Sequence, residues 1–321
     1  NSITGVGFQP DWIWFKNRDA GNDHALVDAV RGRKAISSNN TNAELTLSAD
    51  KDFQSFDSDG FTVDVVEQLN SFNKSGDSIV TWNWKAGGSA SSNSDGTVTT
   101  SVSSNTTAGF SIVSYTGTGS NATIGHGLGA EAKCIIFKDR DTASDWRMYH
   151  VGVGNTGALT LNNTNATQTN SVFFQDTTPT STVFSLGTGT DVNNTNAFIA
   201  YCFAEKKGYS SFGSYTGNGN ADGPFVYTGF RPAFLLFKKT SGTSHWYTYD
   251  SKRLGYNGGN VVVAADLTNS EITGKDIDLL SNGFKWKSTT NNGNASGATY
   301  IYMAFAESPF VNSNGVPNNA R

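Results

Sequence analysis

The amino-acid sequence predicts an all-β protein built from three tandem antiparallel β-sandwich-like modules. Apolar runs are short, the stretches between them are rich in Gly, Asn, Ser and Thr, and one set of landmarks occurs three times. Short apolar runs bounded by turn-forming residues are typical of strands joined by tight turns. An alternative arrangement, in which the three repeats pack around one pseudo-threefold axis, fits the same pattern.

The repeat is recognised from landmarks at nearly constant spacing. Each copy begins with an apolar run that ends in Phe-Lys, and a distinctive residue follows twelve positions after the lysine. These lysines and their partners are Lys16 with Asp28, Lys138 with His150, and Lys238 with Asp250. A phenylalanine comes 45 or 46 positions after each lysine, at Phe61, Phe184 and Phe284. Landmarks that match at three places indicate one structural unit that is repeated.

The landmarks place three β modules at residues 1–88, 109–208 and 209–311, followed by a C-terminal tail at residues 312–321. Residues 89–108, between modules one and two, are rich in Ser, Asn and Gly. This segment is predicted to be either a flexible linker or an exposed strand. Asp95-Gly96 followed by Thr and Val residues favours a turn and a strand.

A leader segment precedes modules two and three but has no counterpart before module one. The two leaders, residues 111–119 and 211–219, share the sequence Ser-Tyr-Thr-Gly. We therefore expect the chain to begin inside a longer polypeptide, with a leading strand missing from module one.

Within a module the apolar residues follow strand-like periods. The runs at residues 12–15, 135–137 and 234–237 are continuously apolar, which predicts strands buried on both faces. The residues Phe61, Val63 and Val65 alternate with polar ones, which predicts a half-exposed strand. Residues 62–72 have some helical character, and we interpret them as a strand followed by a loop.

Composition argues against several classes of partner. Lys and Arg total 23 against 27 Asp and Glu, and no basic block is present, so we expect no nucleic-acid partner. No apolar run approaches the roughly 18 residues that span a bilayer, so we expect no membrane insertion. The two cysteines, Cys134 and Cys202, are too few for a disulfide scaffold and are interpreted as buried thiols.

No motif for catalysis, phosphate binding or metal binding is recognised, and the sequence predicts neither an enzyme nor a cofactor. The four histidines lack metal-ligand spacing. The Asp residues at 57, 59, 139 and 141 lie in turns that resemble calcium-binding loops, but the hydrogen bonds of the turns themselves explain them equally well. The recurring position of Asp28, His150 and Asp250 is interpreted as structural, with the aspartates hydrogen-bonded to Arg31 and Arg253 or to a turn.

Aromatic residues are the remaining candidates for ligand binding. Most are expected in the core, because large rings fill a small sandwich efficiently. Two tyrosines in Ser-Tyr-Thr-Gly turns and a Trp-Tyr pair near an aspartate are candidates for a sugar-binding surface. These ligand-binding candidates are Tyr115, Tyr215, Trp246, Tyr247 and Asp250.

Several long phrases resemble a poorly characterised family that is common in tailed bacteriophages, especially marine ones. The phrases lie at residues 109–119, 124–129, 214–219, 222–232 and 300–310, and the resemblance runs from about residue 4 to residue 311. It implies a structural virion protein on the virion surface, made in the cytoplasm of the host bacterium, and it assigns no catalytic or binding residues.

The resemblance leaves three hypotheses open. The first is a tail-fibre or adhesin-like protein that attaches to a host cell-surface polysaccharide or receptor. The second is a purely structural decoration or connector protein that contacts other virion proteins, and the third is a glycan-degrading tailspike. A homo-oligomer, preferably a trimer, is expected because fibres are usually trimeric, although the internal repeat offers a way for one chain to replace three.

Overall fold

The computed structural model describes residues 1–253, 257, 260–273 and 277–309, and these residues form almost only antiparallel β-sheets. The predicted all-β, sandwich-like fold is confirmed. The whole predicted tail, residues 312–321, and residues 310–311 of module three lie outside the described residues.

Module one contains a five-stranded sheet and a three-stranded sheet. Its strands are β1 (Ser2–Thr4), β2 (Trp12–Asn17), β3 (Ala25–Asp28), β4 (Gly32–Ile36), β5 (Leu45–Thr46), β6 (Phe53–Asp57), β7 (Gly60–Val63) and β8 (Ile79–Trp84). The large sheet has the order β5-β4-β3-β2-β8, and the small sheet has the order β1-β7-β6. Residues 64–72, after β7, form bends and turns and no helix, which agrees with the interpretation of residues 62–72 as a strand followed by a loop.

Module two, together with the segment before it, forms an eight-stranded sheet and a two-stranded sheet. Its elements are β9 (Ser91–Asn93), β10 (Thr100–Asn105), β11 (Phe110–Thr116), β12 (Ala122–Gly125), β13 (Ala132–Asp139), β14 (Arg147–His150), β15 (Gly157–Thr160), β16 (Gln168–Thr169), α1 (Ser171–Phe174), β17 (Val183–Leu186), α2 (Thr190–Asn193) and β18 (Ala197–Ala204). The large sheet has the order β16-β15-β14-β13-β18-β11-β10-β9, and β12 pairs with β17.

Module three repeats this plan. Its described elements are β19 (Ser210–Thr216), β20 (Phe225–Tyr227), β21 (Pro232–Lys239), β22 (Tyr247–Asp250), β23 (Val261–Ala264), β24 (Ile272–Thr273), β25 (Ile277–Leu280), β26 (Gly283–Trp286), α3 (Asn291–Asn294) and β27 (Thr299–Ala306). The large sheet has the order β19-β27-β21-β22-β23-β24, and the small sheet has the order β20-β26-β25.

The segment at residues 89–108 is part of module two, not a linker between modules. Strand β10 pairs with β11 from Ser101 to Asn105, and β9 pairs with β10. The strand interpretation therefore holds, but Thr100, Val102 and Ser103 are buried rather than exposed. A boundary between residues 108 and 109 would divide this sheet.

Each large sheet has two covered faces, which explains the continuous apolar runs. In β2, Trp12 and Trp14 point to a core that all three modules share, while Ile13 and Phe15 point to the core of module one. The equivalent strands β13 and β21 divide their residues in the same way. Alternation along a strand therefore fills two different cores.

The shared core lies where the three modules meet. Trp84, Phe203 and Phe305 occupy equivalent positions in the closing strands β8, β18 and β27. Their ring centroids form a triangle with sides of 6.3, 5.9 and 5.7 Å. Three equivalent residues in mutual contact are what a pseudo-threefold axis requires, so the contacts agree with the alternative arrangement and not with modules strung in a line.

Equivalent hydrogen bonds join the modules in cyclic order through buried lysines. Each lysine of the Phe-Lys landmarks is buried and donates to a backbone carbonyl of another module. The three bonds run from Lys16 Nζ to Thr268 O (3.0 Å), from Lys138 Nζ to Thr41 O (3.1 Å) and from Lys238 Nζ to Thr164 O (3.4 Å). Burial lowers the pKa of each lysine to about 8.

A second set of hydrogen bonds joins the modules in the same cyclic order, through the ring nitrogen of the residue eight positions after each lysine. The bonds join Trp146 Nε1 to Ser37 O (2.9 Å), Trp246 Nε1 to Thr160 O (2.8 Å) and His24 Nε2 to Ala264 O (3.0 Å). His24 Nδ1 accepts a hydrogen bond from Trp14 Nε1, so the proton of the neutral ring lies on Nε2. Burial lowers the pKa of His24 to about 3, which keeps the ring neutral.

Candidate functional site

The recurring position of Asp28, His150 and Asp250 connects modules. Arg31 Nε donates to Asp28 Oδ2 at 2.5 Å, and Arg253 Nε donates to Asp250 Oδ2 at the same distance, as the structural interpretation predicts. Each of the three residues also bonds to the closing strand of another module. Tyr201 Oη donates to Asp28 Oδ2 at 2.8 Å, and Trp82 Nε1 donates to Asp250 Oδ2 at 3.1 Å. In module two, His150 Nε2 lies 3.0 Å from the backbone oxygen of Tyr302.

The hydroxyls of the two turn tyrosines bond inside their own modules, although Tyr215 is only half-buried. Tyr115 is buried, and its hydroxyl donates to Val192 O at 2.7 Å. The hydroxyl of Tyr215 donates to Gly293 O at 2.9 Å, and burial raises the pKa of Tyr215 well above its ordinary value. Both tyrosines hold a short helical segment, α2 or α3, against their module.

The other three candidates are also engaged inside the protein. Trp246 is fully buried in the shared core, and Tyr247 is buried and accepts a hydrogen bond from Asn292 Nδ2 at 3.2 Å. Asp250 is held by Arg253 and Trp82. Tyr115, Trp246 and Tyr247 are therefore buried and not exposed for stacking on a sugar, while Tyr215 is half-buried.

The aspartates in the calcium-like turns accept hydrogen bonds from the protein itself. Asp139 accepts from the backbone of Asp141 and Thr142 in its own turn, and Asp59 accepts from the backbone of Gly5 and Gly7 in a neighbouring segment. Among the described residues, no group of three or more His, Cys, Asp or Glu side chains is arranged to hold a metal ion.

A pair of exposed aromatic rings on β20 is the strongest candidate for a binding site. Phe225 is 45% exposed and Tyr227 is 64% exposed, while Val226 between them is buried. Alternate residues of a strand point to the same face, so the two rings share the outer face of the small sheet of module three. We call Phe225, Tyr227 and the paired residue Lys285 the aromatic platform.

The other modules show that the fold does not require these rings. The central residue of each equivalent strand, Ile3, Ile124 or Val226, pairs with the landmark phenylalanine of its module. The residues that flank it are Ser2 and Thr4 in module one, Thr123 and Gly125 in module two, and Phe225 and Tyr227 in module three. Only module three has aromatic rings here, although the sheet forms in all three.

Neighbouring strands provide polar groups beside the rings, and a glycine allows the backbone to pack closely against them. Lys285 lies opposite Phe225 in the β-ladder, and its Nζ is 2.8 Å from Asp222 Oδ1. This contact lowers the pKa of Asp222. Gly283 lies opposite Tyr227, and a Cβ atom there would be 2.1 Å from Val226 O and 3.0 Å from the Phe225 ring. The site combines two apolar ring faces with one cation and one carboxylate at the surface.

Sequence reasoning missed this site, although a signal was present. The segment Phe225-Val226-Tyr227 lies within one of the phage-like phrases, residues 222–232. Compared position by position with the other modules, it has aromatic residues in place of Ser, Thr and Gly at positions that point away from the core.

Comparison with known proteins identifies the family. A family model described as a domain of unknown function, DUF7483, matches residues 1–309, and the chain belongs to this family. No curated protein and no solved structure matches the chain. In the part of the chain that the structure describes, no helix has both the length and the apolar character needed to cross a membrane.

Proposed function

We propose that this DUF7483 protein is an adhesin-like structural protein of a bacteriophage virion that binds a host cell-surface glycan through the aromatic platform. The observation that carries the proposal is the pair of exposed rings, Phe225 and Tyr227, at positions where the other modules have small or polar residues. The phage context rests on the resemblance of the sequence phrases.

The exposed rings and polar side chains of the aromatic platform are suited to binding a sugar. Two exposed aromatic rings on the same face of a strand form an apolar surface patch, and apolar patches rimmed by polar residues mark interaction sites. The ring faces suit the apolar C–H faces of sugars, while Lys285 and Asp222 supply a hydrogen-bond donor and acceptor. We propose binding without cleavage, because the nearby carboxylate of Asp222 is paired with Lys285.

Binding to intact bacterial cells tests the proposal. The fluorescently labelled protein is offered to a panel of strains and to their purified surface polysaccharides, with and without Ca²⁺. We expect selective binding to a few strains and competition by the polysaccharide of those strains. No release of oligosaccharides is expected, whereas a rise in reducing ends would support the tailspike hypothesis.

A double variant removes the platform without disturbing the fold. Phe225→Ser with Tyr227→Thr installs the residues that module one carries at the equivalent positions, so the small sheet is expected to form. Aromatic anchors contribute more than about 1 kcal/mol each, so binding should weaken at least roughly tenfold. The matched control is Val65→Ser, which removes an apolar side chain that is 55% exposed elsewhere.

Two outcomes would contradict the proposal. Equal binding by the double variant and the control would remove the platform from the binding site. Absence of binding to any strain by the folded protein would favour a decoration or connector protein.

A further inference from the structure

The large sheet of module one has an open edge where the other two modules have a strand. In modules two and three, the leading strands β11 and β19 pair with the closing strands β18 and β27 over seven residues. In module one the closing strand β8 pairs with β2, and no described residue pairs with its other side.

The backbone groups that face this edge are identified by the register of the sheet. Arg18 N donates to Ser78 O, so Ser78 and every second residue after it turn their backbone groups toward β2. The residues between them, Ile79, Thr81 and Asn83, therefore turn theirs toward the open side. The equivalent residues of β18 are the ones that bond to β11.

A cavity of about 580 Å³ lies along this edge. Trp82, Phe234 and Phe305 line it, and all three belong to the shared core. In the other modules the equivalent space receives Ile112 or Phe212 of the leading strand. Among the described residues, the shared core therefore has no counterpart of Ile112 and Phe212 opposite Trp82 in module one.

A polar atom at the same edge also lacks a partner. The side-chain oxygen of Asn83 is buried and makes no hydrogen bond to the described residues. The residues equivalent to Asn83 are Cys202 and Ala304, and each lies opposite a leader serine, Ser111 or Ser211. A leader serine opposite Asn83 would place a hydroxyl donor beside that oxygen.

We propose that the edge of β8 binds an extended polypeptide segment of the leader type, added antiparallel as the missing strand of module one. The segment carries serine opposite Asn83, a large apolar residue opposite Trp82 and tyrosine opposite Ile79, as both leaders do in their own sheets. Strand addition of this kind gains affinity from main-chain hydrogen bonds and specificity from alternate side chains. The surface is separate from the aromatic platform, so the two proposals stand or fall independently.

A fusion tests the inference. Residue 1 is equivalent to residue 122, so placing a copy of residues 109–121 before Asn1 supplies a leader at the correct spacing. We expect Tm to rise by roughly 2–4 °C or more and Trp fluorescence to shift to shorter wavelength. The peptide of residues 109–117, added in excess to the full chain, should give the same fluorescence shift.

Two controls separate strand addition from other causes. Replacing the copied Ile112 with Asp in the fusion or the peptide should abolish both effects, because a charge would enter the shared core. Thr81→Pro in the protein removes one edge N–H and is tolerated at an edge strand, so it should abolish the effects while circular dichroism stays unchanged.

Three results would overturn the inference. They are an unchanged Tm and fluorescence in the fusion, an equal response with the Asp-containing leader, and an equal response in Thr81→Pro. Peptide binding that appears only after residues 310–321 are deleted would assign the edge to the chain's own C-terminal segment. Dimer formation that blocks the peptide would assign it to a second copy.

Discussion

Replacing Lys138 with methionine is expected to remove part of the pH dependence of the protein's stability. The Lys138 side chain is fully buried, and its Nζ donates to Thr41 O and Ser144 O, both at 3.1 Å. Burial lowers the pKa of Lys138 from 10.5 to about 8. Desolvation disfavours the charged form, and the nearby carboxylates of Asp139, Asp191 and Asp145 compensate only in part.

The sign follows from proton binding in the two states. Between the folded pKa of about 8 and the unfolded value of 10.5, the unfolded chain binds more protons than the folded protein. The contribution of Lys138 to the free energy of unfolding therefore rises as pH rises through this window, and it is lost as pH falls to about 8. One proton corresponds to about 1.4 kcal/mol per pH unit, so from about pH 7.5 to 9.5 the contribution changes by at most about 2 kcal/mol.

Urea unfolding followed by Trp fluorescence measures this difference. The free energy of unfolding of the wild type, minus that of Lys138→Met, should grow by up to about 2 kcal/mol from about pH 7.5 to 9.5. Titration of Tyr and Cys residues cancels in the comparison. Lys74→Met is the control, because the Lys74 side chain is 43% exposed. Parallel pH dependences in wild type and Lys138→Met would refute the reasoning.

Two other outcomes are expected from buried groups. Asp28→Asn should lower the free energy of unfolding by about 3 kcal/mol in urea denaturation, because buried Arg31 loses its nearer carboxylate and keeps only that of Glu44. A loss below about 1 kcal/mol would contradict the proposed role of the pair. Cys134 and Cys202 should resist a thiol reagent at about pH 8 in the native protein and react in urea, because both are buried and burial raises the pKa of each thiol. Labelling of the folded protein at the rate of an unfolded control would show that this part of the core opens readily.

The strands and the repeat were predictable because they depend on local patterns. Continuous apolar runs such as residues 12–15 indicated strands covered on both faces, and the structure covers them with two different cores. The thiols of Cys134 and Cys202 are buried and unpaired, as interpreted. A turn and a strand after Asp95-Gly96 follow from local sequence, but the pairing of β10 with β11 does not, because it depends on which strands meet in the folded sheet.

The contacts between modules were harder to predict. Lysine is rarely buried, so the sequence alone does not indicate that Lys16, Lys138 and Lys238 lie at the contacts between modules. The Ser-Tyr-Thr-Gly turns suggested exposed tyrosines, but the hydroxyls of Tyr115 and Tyr215 reach backbone carbonyls of short helices that have almost no sequence signal. In both cases the deciding partner is a backbone carbonyl, which sequence patterns do not reveal.

Covalent linkage of the three modules changes what a single mutation does. In an assembly of three identical chains, each substitution would appear three times around the axis, and every copy would have to tolerate it. Here His150 stands at a position that is aspartate in the other two modules. The closing-strand residues that donate to those aspartates are Trp82 and Tyr201, and the equivalent residue beside His150 is Met303, whose side chain has no donor. His150 bonds instead to the backbone carbonyl of Tyr302. One repeat can therefore diverge and acquire a new surface, such as the rings of Phe225 and Tyr227, while the other two preserve the scaffold, and such a surface would be present once per molecule.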